Sequence, residues 1–112
     1  LELIFTRKTH LFLKKGFIPV EIQGMRIGDI VLLGIPGEVF VSIGLRVKSK
    51  AKSRGMKAVI VELANDYIGY MPDKNAFEEG GYEVEIAGKL GFGPGLENLL
   101  LEGAAVVLEG LQ

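Results

Sequence analysis

The stretch Ile30-Val-Leu-Leu-Gly-Ile-Pro-Gly-Glu38 decides the fold of this chain. Its first part is apolar and partly β-branched, which predicts a short buried strand that ends at Ile35. The pattern then changes to helical spacing and predicts an amphipathic helix over about residues 38–54, closed by Gly55. Pro36 and Gly37 form the corner between the two elements. The apolar face of this helix would contain Phe40, Ile43, Gly44, Val47 and Ala51.

Glu38 directly follows this corner and is expected in the first turn of the helix. The helix dipole and the free backbone N–H groups of that turn would hold its carboxylate ionised, which suits it to bind a cation. Acidic residues are also common in first turns simply because they neutralise the dipole. An isolated Pro-Gly-Glu is more often structural, so both interpretations stay open at this point.

Two further strands complete the predicted sheet. Val20 and Ile22 alternate with polar residues, and the turn signal Gly28-Asp29 predicts that this strand pairs antiparallel with the next one. The apolar run over residues 57–63 predicts a third strand that is buried on both faces. Strand, helix and strand then form a βαβ unit with a right-handed crossover. The predicted fold class is therefore α/β, a mixed three- to four-stranded sheet with one βαβ unit and helices packed on it.

The βαβ unit brings the loops after Ile35 and Leu63 to the same edge of the sheet, where α/β proteins place ligands. The second of these loops contains Tyr67 and Tyr70, and the alternative to a functional role is that both rings pack against the sheet with their hydroxyls in solvent. Further along, the pattern predicts a short capped helix over residues 73–79 and an edge strand over residues 82–86.

The last helix is predicted from Pro94 to about Gly110. Its apolar residues lie on more than one face, which indicates burial from two sides or a partner surface. The preceding Gly91-Phe-Gly-Pro-Gly95 is not followed by the Lys-Ser or Lys-Thr of a phosphate-binding loop.

Composition excludes several classes of function. The 112 residues carry a formal net charge of −1, which gives no electrostatic case for binding nucleic acid or an anionic membrane. There is no cysteine, hence no disulfide and no thiolate chemistry. No run of about 18 apolar residues exists, so we predict no transmembrane segment and a soluble chain, with the compartment open and the cytoplasm included. His10 is the single histidine, and a lone histidine is more often a surface or packing residue than a metal ligand.

The ordered motifs of this chain resemble those of the neutral/alkaline, non-lysosomal ceramidase family. The resemblance rests on motifs in compatible order and spacing, and it covers the C-terminal part of that family's catalytic domain. We therefore predict residues 1–112 to be a single α/β domain or a fragment, in which 1–17 is poorly legible and 18–110 is the ceramidase-like part. The motifs are Arg26-Ile-Gly-Asp29, Pro36-Gly-Glu38, Gly44 with Arg46, Asn65-x-Tyr67-x-x-Tyr70, Tyr82-Glu83 and Phe92-Gly-Pro94.

The resemblance implies zinc-dependent hydrolysis of the amide of N-acylsphingosine. In the family, the glutamate of Pro-Gly-Glu and the second tyrosine of Asn-x-Tyr-x-x-Tyr bind zinc beside two histidines, and these positions fall on Glu38 and Tyr70. The tyrosine that assists at the substrate carbonyl falls on Tyr82. The two histidines belong to an N-terminal portion that is not matched here. After the glutamate the family commonly has Phe-Thr-Thr where this chain has Val39-Phe-Val-Ser42, so the substrate need not be ceramide.

Two hypotheses of different class follow. In the first, the chain is the C-terminal portion of a ceramidase-like amide hydrolase that is inactive by itself, binds zinc weakly or not at all, and associates with a histidine-bearing portion. In the second, it is a metal-free α/β interaction domain that forms homo-oligomers. A third hypothesis is that the corner of residues 36–38 binds a small ligand without catalysing a reaction. Only the expected crevice at this edge of the sheet supports it.

Overall fold

The structure is a computed structural model that describes residues 4–12 and 19–112, with side chains from residue 20 onward. The strands are β1 (Ile4–Phe12), β2 (Pro19–Ile27), β3 (Ile30–Gly34), β4 (Glu38–Val39), β5 (Lys57–Val61) and β6 (Tyr70–Met71). The helices are α1 (Val41–Lys52), α2 (Lys74–Glu79), α3 (Tyr82–Lys89) and α4 (Leu96–Leu111). Of the predicted N-terminal segment 1–17, residues 1–3 and 13–17 lie outside the described residues.

The predicted α/β class and mixed sheet are confirmed. Four strands form one sheet in the order β1-β2-β3-β5, in which β1, β2 and β3 are antiparallel neighbours and β3 pairs parallel with β5. A turn at Gly28 and Asp29 joins β2 to β3 as predicted, with Gly28 at a φ of 64°. Helix α1 connects β3 to β5, which completes the βαβ unit. Strands β4 and β6 form a separate two-stranded parallel ladder.

The core lies between one face of the main sheet and helices α1 and α4, which also pack on each other. Val31 and Leu33 of β3 point into it and are fully buried, as are Ile43 and Val47 of α1. Apolar residues at helical spacing on α1 and α4 explain why these two helices cover the same face. At the far end of the core, Arg26 donates from Nη1 to the carbonyl of Leu111 at 2.6 Å and so ties the last turn of α4 to β2.

The helix after the corner begins later than predicted. Helix α1 starts at Val41 and Glu38 lies in strand β4, so its carboxylate does not lie in the first turn of a helix as predicted. Pairing with β6 causes the difference, because the amides of Glu38 and Phe40 donate to the carbonyls of Gly69 (2.9 Å) and Met71 (3.1 Å). These two hydrogen bonds hold residues 38–40 in an extended conformation. The helical spacing of nearby residues cannot predict a pairing with a strand about 30 residues away.

The predicted edge strand over residues 82–86 is wrong, since these residues belong to α3. Gly80 and Gly81 both have positive φ values, 80° and 124°, and end α2 just before α3 begins. Glu83 and Glu85 lie in the first turn of α3, where acidic side chains are favourable. A five-residue alternation is too short to separate a strand from a helix.

The prediction that the third strand is buried on both faces is also wrong for the described residues. Strand β5 ends at Val61, and Val59 and Val61 are 47% and 42% exposed, whereas Ala58 faces the core. The short helix over residues 73–79 is confirmed as α2, with Asp73 as its N-cap. None of the helices in the described part of the chain is both long and apolar enough to span a membrane.

Candidate functional site

The ladder of β4 and β6 brings two of the predicted site residues together. Glu38 is the direct register partner of Tyr70, and Val39 is the partner of Met71. Because paired positions of neighbouring strands present side chains to the same side, the Glu38 carboxylate and the Tyr70 phenol lie next to each other. The separate loops in which these residues occur in the sequence therefore meet at one edge, as the crossover geometry predicts.

The corner at residues 36 and 37 makes this approach possible. The carbonyl of Pro36 accepts a hydrogen bond from the amide of Ile68 at 2.8 Å. This bond holds the loop that contains Tyr67 and leads to Tyr70, here called the tyrosine loop, beside the corner. A Cβ on Gly37 would lie only 2.7 Å from the carbonyl oxygen of Gly69. Contacts that short do not occur, so the glycine permits the backbones of the two segments to come close. The Pro-Gly of the motif is thus a packing requirement for the ladder.

Tyr67 is a member of the site that the sequence argument did not assign. Its hydroxyl donates a hydrogen bond to Oε2 of Glu38 at 3.1 Å, although the ring is 58% exposed. This hydrogen bond, and to a smaller extent burial and the charge of Glu38, raise the pKa of the Tyr67 phenol above its ordinary value of 10.0. The only signal in the sequence was its position in Asn65-x-Tyr67-x-x-Tyr70, which does not identify a hydrogen-bond partner 29 residues away.

Tyr82, the predicted catalytic tyrosine, contacts Tyr70. It is the first residue of α3 and is 63% exposed, and its ring meets that of Tyr70 edge to face, with centroids 5.9 Å apart and planes at 73°. The negative charge of Glu38 is the main cause that raises the pKa of the Tyr70 phenol. The Tyr70 phenol therefore remains protonated near neutral pH, as a hydrogen-bond donor must be. The structure thus groups Glu38, Tyr67, Tyr70 and Tyr82 in one place.

A second hydrogen-bonded pair, Ser42 and Asp73, joins the segments that follow β4 and β6. Ser42 in the first turn of α1 donates from Oγ to Oδ2 of Asp73, which follows β6, while Oδ1 of Asp73 accepts from the amide of Ala76 at 2.8 Å. The hydrogen bond from Ser42 is the main cause that lowers the pKa of the Asp73 carboxyl below 3.8. One carboxylate therefore joins α1, which follows Glu38, to the segment that follows Tyr70.

The donor set at this site is a carboxylate and a phenol. Both are oxygen ligands that zinc accepts, but a catalytic zinc needs three protein ligands and one open position. Across residues 4–12 and 19–112, no group of three or more His, Cys, Asp or Glu could hold a metal ion. The residues present therefore fit two positions of a zinc site. His10 lies in β1, where its register partner is Glu21 of β2.

An apolar cavity of about 300 Å³ lies beside the tyrosine loop. Tyr67 contributes to its wall, so the residue that binds Glu38 also borders apolar space. The remaining wall is formed mostly by aliphatic and aromatic side chains, which suits apolar groups of a ligand. The lining residues are Tyr67, Ile68, Gly69, Ile86, Leu90 and Phe92.

Comparison with known proteins gives a structural match without a sequence-family match. No family model matches the chain, and no curated protein matches it. The solved structure of a ceramidase complexed with C2 superposes over 81% of this chain with a TM-score of 0.68 and 24% sequence identity. The neutral ceramidase of Pseudomonas aeruginosa superposes over 82% with a TM-score of 0.62 and 25% identity.

These matches involve a small share of the known structures. The superposed region makes up 14% of the first structure and 16% of the second. The family resemblance inferred from the motifs is confirmed at the level of structure. The chain has the fold of a neutral ceramidase-like C-terminal portion.

Proposed function

We propose that this chain is the C-terminal portion of a zinc-dependent, ceramidase-like hydrolase of N-acyl amides. The observation that carries the proposal is the register pairing of Glu38 with Tyr70, with Tyr82 in ring contact with Tyr70. Three residues that the motifs identified separately lie in one cluster. The ceramidase-like fold over four-fifths of the chain supports the same activity.

Each residue of the cluster has a distinct role in this proposal. Glu38 and Tyr70 supply two oxygen ligands, and imidazoles from outside the described residues supply the others. Zinc bound there would lower the pKa of a bound water from about 15.7 towards about 7 and polarise the amide carbonyl. Tyr82 donates its phenol hydrogen to the carbonyl oxygen as negative charge develops on it. Tyr67 orients the Glu38 carboxylate through its 3.1 Å hydrogen bond, as outer residues commonly do for metal ligands.

The reaction is hydrolysis, in which water adds to the carbonyl carbon, the carbon–nitrogen bond breaks, and a carboxylic acid and an amine leave. The apolar cavity beside Tyr67 fits an amide that carries aliphatic groups, such as N-acylsphingosine. Since Val39-Phe-Val-Ser42 differs from the family's usual Phe-Thr-Thr, other N-acyl amines are included in the substrate class. Alone, the chain should show no appreciable amidase activity, because two oxygen ligands do not hold a catalytic zinc firmly.

The test is to combine the chain with the histidine-bearing portion of a ceramidase and to measure both bound zinc and hydrolysis of a short-chain N-acyl amide. Glu38→Ala should abolish zinc retention and turnover. Glu102→Ala, which removes an exposed carboxylate from α4, serves as the matched control and should change neither. Turnover that persists in Glu38→Ala would exclude this residue from the site.

A metal-free, self-associating interaction domain is the second candidate. The observation that favours it is the row of exposed apolar side chains on the main sheet, among them Val59 and Val61. Size-exclusion chromatography combined with metal analysis separates the two proposals. A stable homo-oligomer that takes up no zinc when zinc is supplied, in the presence of the histidine-bearing portion, would favour the interaction domain.

A further inference from the structure

The carboxylate of Glu38 has no cationic partner among the side chains of residues 20–112. Its Oε2 accepts a hydrogen bond from Tyr67, which is a neutral phenol. The ion pairs in this part of the chain join other residues, namely Arg46 with Glu97, Arg54 with Glu109 and Lys57 with Asp29. Glu38 is half-buried. A carboxylate that is partly removed from water and has no counter-charge favours a cation as its ligand.

The groups around this carboxylate make the region more negative. The charge of Glu38 is the first cause of the raised pKa of the Tyr70 phenol, and burial, Tyr82 and Glu83 contribute less. Glu83 lies in the first turn of α3, so a second carboxylate acts on the same phenol. Phenol oxygens accept hydrogen bonds as well as donate them. The cluster therefore presents hydrogen-bond acceptors and a negative potential to a ligand.

The apolar cavity beside the tyrosine loop adjoins these acceptors. Tyr67 belongs to both, since its hydroxyl binds Glu38 and the residue forms part of the cavity wall. Helix α3 contributes Ile86 to the opposite part of the lining, and Phe92 contributes a buried ring. A negative group and an apolar cavity are thus separated by a single tyrosine. A ligand that matches both has a cationic head and an aliphatic chain.

We propose that Glu38, Tyr67, Tyr70 and the adjoining cavity form a binding site for a primary alkylammonium ion, with the ammonium group on the carboxylate and the alkyl chain in the cavity. A primary ammonium group has three N–H donors and no acceptor, which matches a carboxylate surrounded by phenol oxygens. Hydrogen bonds between charged partners are the strong ones. The site goes beyond the proposed hydrolase, because it requires neither zinc nor a histidine-bearing portion.

Intrinsic fluorescence reports on this site alone. The three tyrosines of the chain are Tyr67, Tyr70 and Tyr82, and there is no tryptophan. The probe is hexylammonium chloride, titrated into the chain at pH 7 with EDTA present and at constant ionic strength. Like a lysine side chain, this amine is protonated at that pH. Because the charge adds to its hydrogen bonds, it should bind at least about tenfold more tightly than 1-hexanol, and hexanoate should not compete with it.

The alkyl chain and the carboxylate can be tested separately. From propylammonium to hexylammonium, each added methylene should tighten binding by about two- to fourfold, because it is buried in the cavity. Glu38→Gln keeps the shape of the side chain and removes its charge, so it should weaken hexylammonium binding at least about tenfold and leave 1-hexanol binding unchanged. Glu102→Gln makes the same change at an exposed position on α4 and should alter neither affinity.

Four results would overturn the inference. Equal binding of 1-hexanol and hexylammonium would exclude recognition of the charge, and equal binding of the ammonium ion itself would exclude the cavity. Equal binding of hexyltrimethylammonium would exclude the N–H donors, and unchanged binding in Glu38→Gln would exclude the carboxylate. The first three comparisons use the wild-type chain and decide the question even if Glu38→Gln does not fold. Since the chain is measured alone and without metal, failure of the proposed hydrolase to bind zinc or turn over would leave this site standing.

Discussion

Replacement of Gly37 by alanine should separate the two halves of the candidate site. The added Cβ would lie 2.7 Å from the carbonyl oxygen of Gly69 and 3.0 Å from Cε of Met71. The methionine methyl group can rotate away, but the backbone carbonyl cannot, because it accepts the ladder hydrogen bond from the amide of Glu38. The substitution therefore has to move β4 away from β6, and with it the Glu38 carboxylate from the Tyr70 phenol.

The magnitude follows from three contributions. Overpacking against a rigid neighbour costs about 1–3 kcal/mol of unfolding free energy. Weakening of the hydrogen bond from Glu38 to Gly69 adds about 0.5–1.5 kcal/mol. The lower entropy of the unfolded alanine chain returns about 0.4–1 kcal/mol, because Gly37 does not have a positive φ that alanine would resist. The three ranges combine to a net destabilisation of about 0.5–4 kcal/mol.

Gly44→Ala is the matched control. Gly44 is inside α1, and its added Cβ would meet Cγ1 of Ile60 at 3.6 Å, an ordinary van der Waals contact. Alanine should therefore stabilise the chain by about 0.5–1 kcal/mol through its helix propensity. The two variants make the same chemical change with opposite expected signs.

Urea unfolding measures both free energies, and amide hydrogen exchange locates the effect. The amide of Glu38 should exchange faster in Gly37→Ala than in the wild type, whereas Gly44→Ala should leave it unchanged. If Gly37→Ala unfolds at the wild-type urea concentration and its Glu38 amide keeps its protection, the close approach of β4 and β6 is not what the glycine provides.

Three further predictions concern the side chains around the ladder and the core. The hydrogen bond from Ser42 lowers the pKa of Asp73 below its ordinary 3.8. The ionised Asp73 carboxylate therefore stabilises the fold above pH 3.8, and this stabilisation is lost as the pH falls through the lowered pKa. Ser42→Ala should move this loss to higher pH in acid unfolding curves. Arg46→Ala should lower the free energy of unfolding in urea by about 1.5–3 kcal/mol, because Arg46 pairs at 2.7 Å with Glu97, which is only 4% exposed. A loss below about 0.5 kcal/mol would mean that water replaces the arginine as the partner of the Glu97 carboxylate. In an absorbance titration the pKa of the Tyr67 phenol should lie above its ordinary value of 10.0. Glu38→Gln, which replaces the carboxylate that Tyr67 binds by an amide, should lower that pKa.

Most of the main sheet could be predicted from the sequence, because its signals are local. The alternation around Ile22, the turn at Gly28 and the apolar run that ends at Ile35 each reflect the conformation of a few neighbouring residues. The βαβ connection makes β3 and β5 parallel, so it also predicted that the loops after these strands would meet at one edge of the sheet. The sequence was therefore sufficient to place Glu38 and Tyr70 in one region of the fold.

The errors occurred where a distant segment decides the conformation. Glu38 is extended because Gly69, directly before β6 and far along the chain, supplies the carbonyl that accepts from its amide. Tyr82 begins helix α3 and not a strand, and its ring packs against Tyr70, 12 residues earlier in the chain. The bond between Tyr67 and Glu38 likewise spans 29 residues. Strand pairs and side-chain hydrogen bonds of this range depend on how the whole chain packs, and no local pattern encodes them.

The sequence by itself thus determined the class of fold, the edge at which the site lies and the identity of two residues that meet there. Only the tertiary structure decided that these residues are register partners, that Tyr67 joins them, and that several apolar side chains of β3 and β5 remain exposed. The physical reason is that periodicity in the sequence indicates which residues prefer burial. Which segments cover them depends on how distant parts of the chain pack together.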